Sequence, residues 1–330
     1  MSRLSAAAAA ATLHLAALLS LAPPALAAQS APTADEGVRL FNAKQYERAG
    51  AVFRPLAAGG KNAVAEYYLG RIDLESNRAE AATEHLERAV ALDGKSSDYH
   101  LWLGHAYGTR AQHSNVFGQA MLAPKAKGEF ERAVELDPRN IDARAALMQF
   151  YAIAPGVMGG SVDKAREQVQ AVKQINPYRG ALMAINFDRQ TNNSAALEAD
   201  LRAALAAYPD SVPVFAAAVS SLQDASRHAE AWAMLDERLK ARPDDQLSLF
   251  LVGRGGAISG QQLGRAESAL HRYAAADHVP PMPTSASAHY RLGMVLEKKG
   301  DRAGAKAEYE SALRIEPKLK AAKDALERVK

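Results

Sequence analysis

The chain has 330 residues, no cysteine, and 40 Lys and Arg against 37 Asp and Glu, for a formal net charge of +3. Charges alternate in sign with no run of five alike, so neither nucleic acid nor an anionic membrane surface is expected as the main partner. The missing thiols exclude disulfides, thiolate catalysis and Cys-based metal sites, and a mature chain of about 300 residues can hold together by packing alone.

Residues 1–28 are expected to be a secretory signal peptide. Arg3 gives a short positive start, AAAAAATLHLAALLSLA an apolar core, and Ala25 and Ala27 an A-x-A cleavage pattern. The run is too short and too Ala-rich for a membrane span. Cleavage near Ala27 or Ala28 would leave 39 basic residues against 37 acidic ones. The product would be a periplasmic or secreted protein with no stable membrane insertion.

TADE from Thr33 is a capping box that opens the first helix. From there one frame returns along the chain. LERAVALDG from Leu86, FERAVELDP from Phe130 and YESALRIEP from Tyr309 each place a large apolar residue, then a small one three later, then Pro or Gly. Val169, Leu201 and Leu235 begin looser copies, and Phe53 and Leu270 complete eight anchors. Four residues before them stand Ala49, Ala82, Ala126, Ala165, Leu197, Ala231, Ala266 and Ala305. A small residue one turn from a large one lets two helix backbones approach closely. Gly37, Gly70, Gly104 and Gly293 share a phase further upstream, with Gly253 one residue out of step and Val219 in the same place. Glycine inside a helix costs about 1 kcal/mol against alanine, so its recurrence implies a neighbouring helix pressing on that point. Asn77 with Glu80, and Asp301, are expected caps of second helices.

A unit of two helices closed by Pro, repeating near 34 residues, resembles the tetratricopeptide repeat, TPR. The third repeat carries LG…Y…A…F…A…P at Leu103, Gly104, Tyr107, Ala126, Phe130, Ala133 and Pro138. The family's Trp near the start of the first helix is missing; His100 and His289 hold that place and Trp102 lies two later. The resemblance covers Thr33 to the C-terminus and implies an all-α, right-handed α-solenoid of about eight helical hairpins. The repeats fall at roughly 34–62, 63–96, 97–140, 141–178, 179–210, 211–244, 245–278 and 286–318, with a linker at 274–286. KLKAAKDALERVK, from Lys318 directly after Pro317, closes the array, with the capping helix placed at 319–330.

Anchor spacings of 33, 44, 39, 32, 34, 35 and 39 residues locate three insertions. TRAQHSNVFGQAMLAPK is expected to separate the two helices of the third repeat, APGVMGGS to enlarge the turn of the fourth, and AADHVPPMPTSAS to link the seventh and eighth. The second stretch resembles loops of other exported bacterial TPR proteins, a likeness that carries no function. Ser161 is its expected helix cap, and it lacks the Gly-Lys-Ser/Thr of a nucleotide loop, though its glycines could present N–H groups to an anion. Phe117, Met121, Leu122, Val157 and Met158 put apolar side chains into both insertions. They are expected either to pack on one another, the alternative favoured, or to form a lip for a partner on one edge of the array.

No G-x-S-x-G, H-E-x-x-H or phosphate-binding G-x-G-x-x-G occurs. GRGGAISG from Gly253 has the wrong spacing and falls where the seventh repeat's first helix should end. His100 and His105, five apart, do not share a helix face as metal ligands would, so neither metal nor cofactor is expected. What the resemblance implies instead is a concave groove lined by first helices. Its candidate contacts are Tyr67, Arg71 and Leu74; Leu101, His105 and Gly108; Gln149; Ser220 and Gln223; and Tyr290, Met294 and Glu297. The family's carboxylate clamp needs Lys and Asn at such places, and neither appears, which argues against chaperone tails as ligands. The expected function is a non-enzymatic scaffold for a protein or peptide segment. The runner-up is an accessory subunit of cell-envelope biogenesis or polysaccharide export. An enzyme would need a perturbed carboxylate or His pair in the enlarged loops.

Overall fold

A computed structural model describes residues 33–276, 278–279 and 282–329. The expected signal peptide, and Pro280 and Pro281 of the linker, lie outside the described residues. Seventeen α-helices and no strand make up what is described. They pair as α1 (Ala34–Asn42) with α2 (Tyr46–Ala57), α3 (Ala63–Glu75) with α4 (Ala79–Leu92), and α5 (Ser97–Gln112) with α6 (Val116–Leu136). Next come α7 (Ile141–Ile153) with α8 (Val162–Ile175), α9 (Pro177–Gln190) with α10 (Ser194–Ala207), and α11 (Val212–Asp224) with α12 (His228–Ala241). α13 (Gln246–Ser259) with α14 (Leu263–Ala274) and α15 (Ser285–Lys299) with α16 (Arg302–Ile315) complete eight hairpins, and α17 (Lys320–Val329) covers the last.

The anchors explain the pairing. Phe53, Leu86, Leu235, Leu270 and Tyr309 are fully buried, and Phe130, Val169 and Leu201 nearly so. Burying such a side chain contributes about 1.5–3 kcal/mol. Five of the eight anchors lie against a glycine of their own first helix: a Cβ on Gly37, Gly70 or Gly104 would stand 2.5 Å from Phe53, Leu86 or Phe130. Gly253 meets Leu270 and Gly293 meets Tyr309 in the same way, so the glycine one residue out of step still finds its anchor. The neighbour that presses on the glycine is thus the partner helix of the same hairpin.

Packing between hairpins is one-sided. Every first helix packs backbone-close against the first helix of the next repeat, whereas second helices reach the next second helix only through long side chains, as Lys173 reaches Asp200 at 3.2 Å and Arg265 reaches Asp236 at 2.5 Å. First helices therefore form an inner, concave layer and second helices fan out behind it.

Caps set the helix starts. Thr33, Asn62, Ser96, Asn140, Ser161 and Asp301 each accept a bond from a backbone N–H in the first turn, worth about 1 kcal/mol apiece. Asn77 does not cap α4; it adopts a left-handed φ of 57° in the tight turn, and Arg78 stands at the cap with no side-chain bond. Asparagine tolerates that conformation better than most residues, and the turn needs it there.

The third repeat departs from expectation. Its insertion is not a loop but lengthens both helices, to 16 residues in α5 and 21 in α6. Asn115 starts α6 early by accepting from Gly118 N at 3.0 Å. Pro124 sits inside α6; the carbonyl it leaves free, four residues back, belongs to exposed Ala120 and can be hydrated.

Candidate functional site: the concave face and the cleft of repeats three and four

Along the inner layer the expected groove residues divide. Tyr67, Leu101 and Gln223 are buried, at 7%, 4% and 1% exposure, and offer a partner no surface. Their helix positions face the adjoining first helix rather than the groove. The Tyr67 hydroxyl accepts from Arg71 at 3.1 Å, and burial pushes its phenol up to about 12. Gln223 donates to Leu251 O at 2.8 Å and accepts from Arg254 at 2.5 Å, tying α11 to α13. Glu297 is engaged as well, accepting from Tyr309 at 2.7 Å and from Arg328 of the closing helix at 3.3 Å.

Arg71, Leu74, His105, Ser220, Tyr290 and Met294 are half-buried and Gln149 is exposed. The Arg71 guanidinium lies between the rings of Phe41 at 4.5 Å and Trp102 at 4.2 Å, joining three first helices by cation–π contact. Arg254 was not anticipated from sequence. It follows Gly253 as Arg71 follows Gly70, and it bonds Gln223 and Asp224 across the seam at 2.5 and 2.6 Å. The signal was present, but Gly253's displacement from the repeat phase hid it.

At repeats three and four the inner layer opens into a cleft of about 480 Å³ between α5, α6, α7 and the turn at 154–158. His105, Gly108 and Gln149 of the groove line it together with Met158 of the turn. Its floor is Ala123, Ala126, Phe130 and Ala146, and its polar groups are Thr109, Gln112, Gln119, Gln149 and His105. No Asp, Glu, Lys or Arg lines it. Burial lowers the His105 pKa from 6.5, so the imidazole is neutral at neutral pH. Its ring rests on Phe130 at 5.2 Å and on Trp102 at 5.3 Å. Apolar walls with neutral amides suit an uncharged side chain and the peptide groups beside it, and the volume lies in the usual range for ligand pockets.

The turn that forms one wall is built from its own backbone. Met158 N bonds Pro155 O at 2.8 Å, Gly159 N bonds Gly156 O at 2.9 Å, and Gly160 N bonds Pro155 O at 3.1 Å. Ser161 N returns to Tyr151 O at 2.8 Å and its side chain accepts from Lys164 N at 3.3 Å. The N–H groups of Gly159 and Gly160 are thus used within the turn and are not turned out toward an anion. Gly159 takes a φ of 93°, and a Cβ on Gly160 would overlap the Ala154 carbonyl.

The apolar residues of the two insertions do not pack together as favoured above. Phe117 is 86% exposed, Met121 61% and Val157 96%. Phe117 and Met121, four apart, share the face of α6 about 160° away from Gln119, which lines the cleft. Met158 turns inward to line the cleft, and Leu122 is buried in the core of its own repeat. The insertions meet at the cleft and not through an apolar platform.

Three other histidines are paired with a carboxylate of their own repeat: His85 with Glu66, His100 with Glu129 and His289 with Glu308, each at 2.6 Å. Among the described residues no three His, Asp or Glu side chains stand together as metal ligands would, and no helix is long and apolar enough to cross a membrane.

Comparison with known proteins fits the geometry. The tetratricopeptide repeat model matches residues 286–319, which span the α15–α16 hairpin. No curated protein matches the chain. A tetratricopeptide repeat protein from Parabacteroides merdae, 14% identical, covers 79% of this chain and 95% of its own with a TM-score of 0.53, which shows the shared fold. A thermophilic TPR protein of Thermus thermophilus is 18% identical over 56% of this chain and 95% of its own, with a TM-score of 0.47. YrrB, a TPR protein with an unusual peptide-binding site, is 20% identical over 55% of this chain and 87% of its own, with a TM-score of 0.40. The chain thus shares the fold of tetratricopeptide repeat proteins, and its α15–α16 hairpin matches the repeat itself.

Proposed function

We propose that the chain is a non-enzymatic scaffold that holds a segment of a protein partner along its concave face, with one uncharged side chain of that segment seated in the 480 Å³ cleft. The observation that carries this reading is the cleft itself. It opens among groove residues, at the two adjacent repeats that are enlarged, and combines apolar depth with neutral amide side chains. A glycan reading has less support, because the Trp102 face a sugar would stack on is covered by Arg71. The leader at residues 1–28 supports export to the periplasm as the site of action. Mass spectrometry of exported protein should find a chain starting at Ala28 or Gln29; an intact Met1 would remove that part of the proposal.

Binding is tested with a photo-crosslinking residue at exposed Gln149 in the parent and in an Ala123→Trp variant that fills the cleft. The parent should capture a defined partner that the variant loses. The same capture in both, or equal capture from a label at Glu135 on the outer side of α6, would overturn the reading.

A further inference from the structure

The fifth repeat is where the array is least continuous. One buried apolar cluster runs from α3 to α9 and another from α11 to α17. Between them lies only a cluster of five residues: Ile185, Leu201, Ala204, Val214 and Ala218. Leu197 here replaces the alanine found four residues before every other anchor. A cleft of about 330 Å³ separates α10 from α11 and α12 beside that leucine. Across this seam the polar ties are Tyr178 to Ser211 at 3.0 Å and two exposed pairs, Arg227 to Glu198 at 3.2 Å and Arg242 to Asp210 at 2.8 Å.

The same repeat holds an acid pair. Asp188 of α9 is 4% exposed and faces Asp200 of α10. Lys173 of α8 reaches Asp200 at 3.2 and 3.3 Å, and Arg166 of α8, whose guanidinium lies 5.7 Å from the Phe187 ring, adds a second positive charge. α7 brings its Asp142 to Arg179 at the other end of α9, and α11 meets α9 with Val214 and Ala218. α8 itself is fixed, because Gly180 of α9 lies against the Lys173 backbone with no room for a Cβ. The element free to respond is therefore α10.

We propose that repeat five is a proton-controlled hinge, in which Asp188 donates a shared proton to Asp200 and loss of that proton loosens α10 and bends the array at its seam with repeat six. Burial, then the charge of Asp200 and the hydrogen bond to it, push the Asp188 carboxyl up to about 6, against the opposing pull of Lys173 and Arg166. A carboxyl raised in the folded state stabilises the closed packing fully below its unfolded value of 3.8 and loses that contribution as pH rises through about 6. The hinge is closed in acid and open near neutrality. Bending there changes the relation of repeats one to five to repeats six to eight, and with it the curvature of the concave face.

The chain lacks cysteine, so labels can be placed at will. Glu84→Cys and Glu310→Cys put a fluorophore pair on α4 and α16, one on each side of the seam, and Glu84→Cys with Glu135→Cys gives a control pair on one side. Between pH 5 and 7.5 the outer pair should shift its mean separation while the control pair stays fixed. Asp188→Asn, which mimics the protonated acid, should hold the outer pair at its pH 5 value throughout. If that variant does not fold, Asp200→Asn, which removes the second charge, must abolish the shift instead. A pH-independent outer pair in the parent, or a parent-like shift in the folded variant, overturns the hinge. Neither outcome depends on any partner being bound.

Discussion

The Phe130 ring rests so close to Gly104 that a Cβ on the glycine would stand 2.5 Å from Phe130 Cε1. Four other repeats place an anchor on a glycine in the same way. This contact sets how near the two helices of a hairpin can come. A substitution at the glycine must therefore move an anchor that neighbours hold on every other side.

Gly104→Ala gains about 1 kcal/mol of helix propensity but forces the ring away, at about 1–3 kcal/mol of overpacking. The expected net result is a loss of stability in urea unfolding. Gly128→Ala on α6 is the control, since nothing lies within 4 Å of a Cβ there, and it should be neutral or stabilising. If both alanines behave alike, the anchor contact does not set the hairpin.

Repetition is what made the frame legible. Eight anchors, seven alanines and five glycines at set distances identify the hairpins because each mark is confirmed by the others. What is present only once was harder to read. The 44-residue spacing suggested a segment between the two helices, yet Asn115 caps a helix there and the insertion became extra turns of α5 and α6. The cleft follows from that wall and so could not be located from spacing. Burial at the groove positions was hidden for a related reason: Tyr67, Leu101 and Gln223 occupy surface-facing phases, but the next first helix covers them.

The two halves of α6 should respond differently to truncation. Leu122 is 4% exposed among core residues, whereas Phe117, on the other side of the same turns, is 86% exposed. Leu122→Ala should cost about 2–5 kcal/mol. Phe117→Ala should change stability by no more than about 0.5 kcal/mol. A large loss at Phe117 in urea unfolding would mean that the insertions do form a packed platform.

Asp245 provides a pH test of the opposite sign to Asp188. It caps α13, accepting from Ser248 N at 3.0 Å and from Arg238 at 3.1 Å. Burial pushes its carboxyl up, but the bonds from Ser248 and Arg238 outweigh burial and hold it below the ordinary 3.8. Its contribution is therefore present above 3.8 and lost as pH falls through the lower folded value. Asp245→Asn should be less stable than the parent at pH 7 by about 1–3 kcal/mol. Chemical unfolding at pH 6 and pH 3 should find the gap narrowing; a constant gap would show that the charge plays no part.

The turn at 154–161 joins fold to site at a single atom. Gly160 lies so tightly against the Ala154 carbonyl that any Cβ would overlap it, while Gly156, at the start of the same turn, has nothing within 4 Å. Gly160→Ala must therefore displace the turn, and with it the hydrogen bonds from Gly160 N to Pro155 O and from Ser161 N to Tyr151 O. α7 and α8 keep their buried contacts through Leu147, Tyr151, Ala165 and Val169, so the array should stay folded. The loss expected is local, about 1–3 kcal/mol for the strained turn. Met158 then moves off the cleft wall, and the seat for an uncharged side chain loses one side. Partner capture from Gln149 should fall in Gly160→Ala and persist in Gly156→Ala, with both variants keeping the helical signal of the parent. Equal capture by the two would mean that the turn only connects helices, and that the cleft binds without its fourth wall.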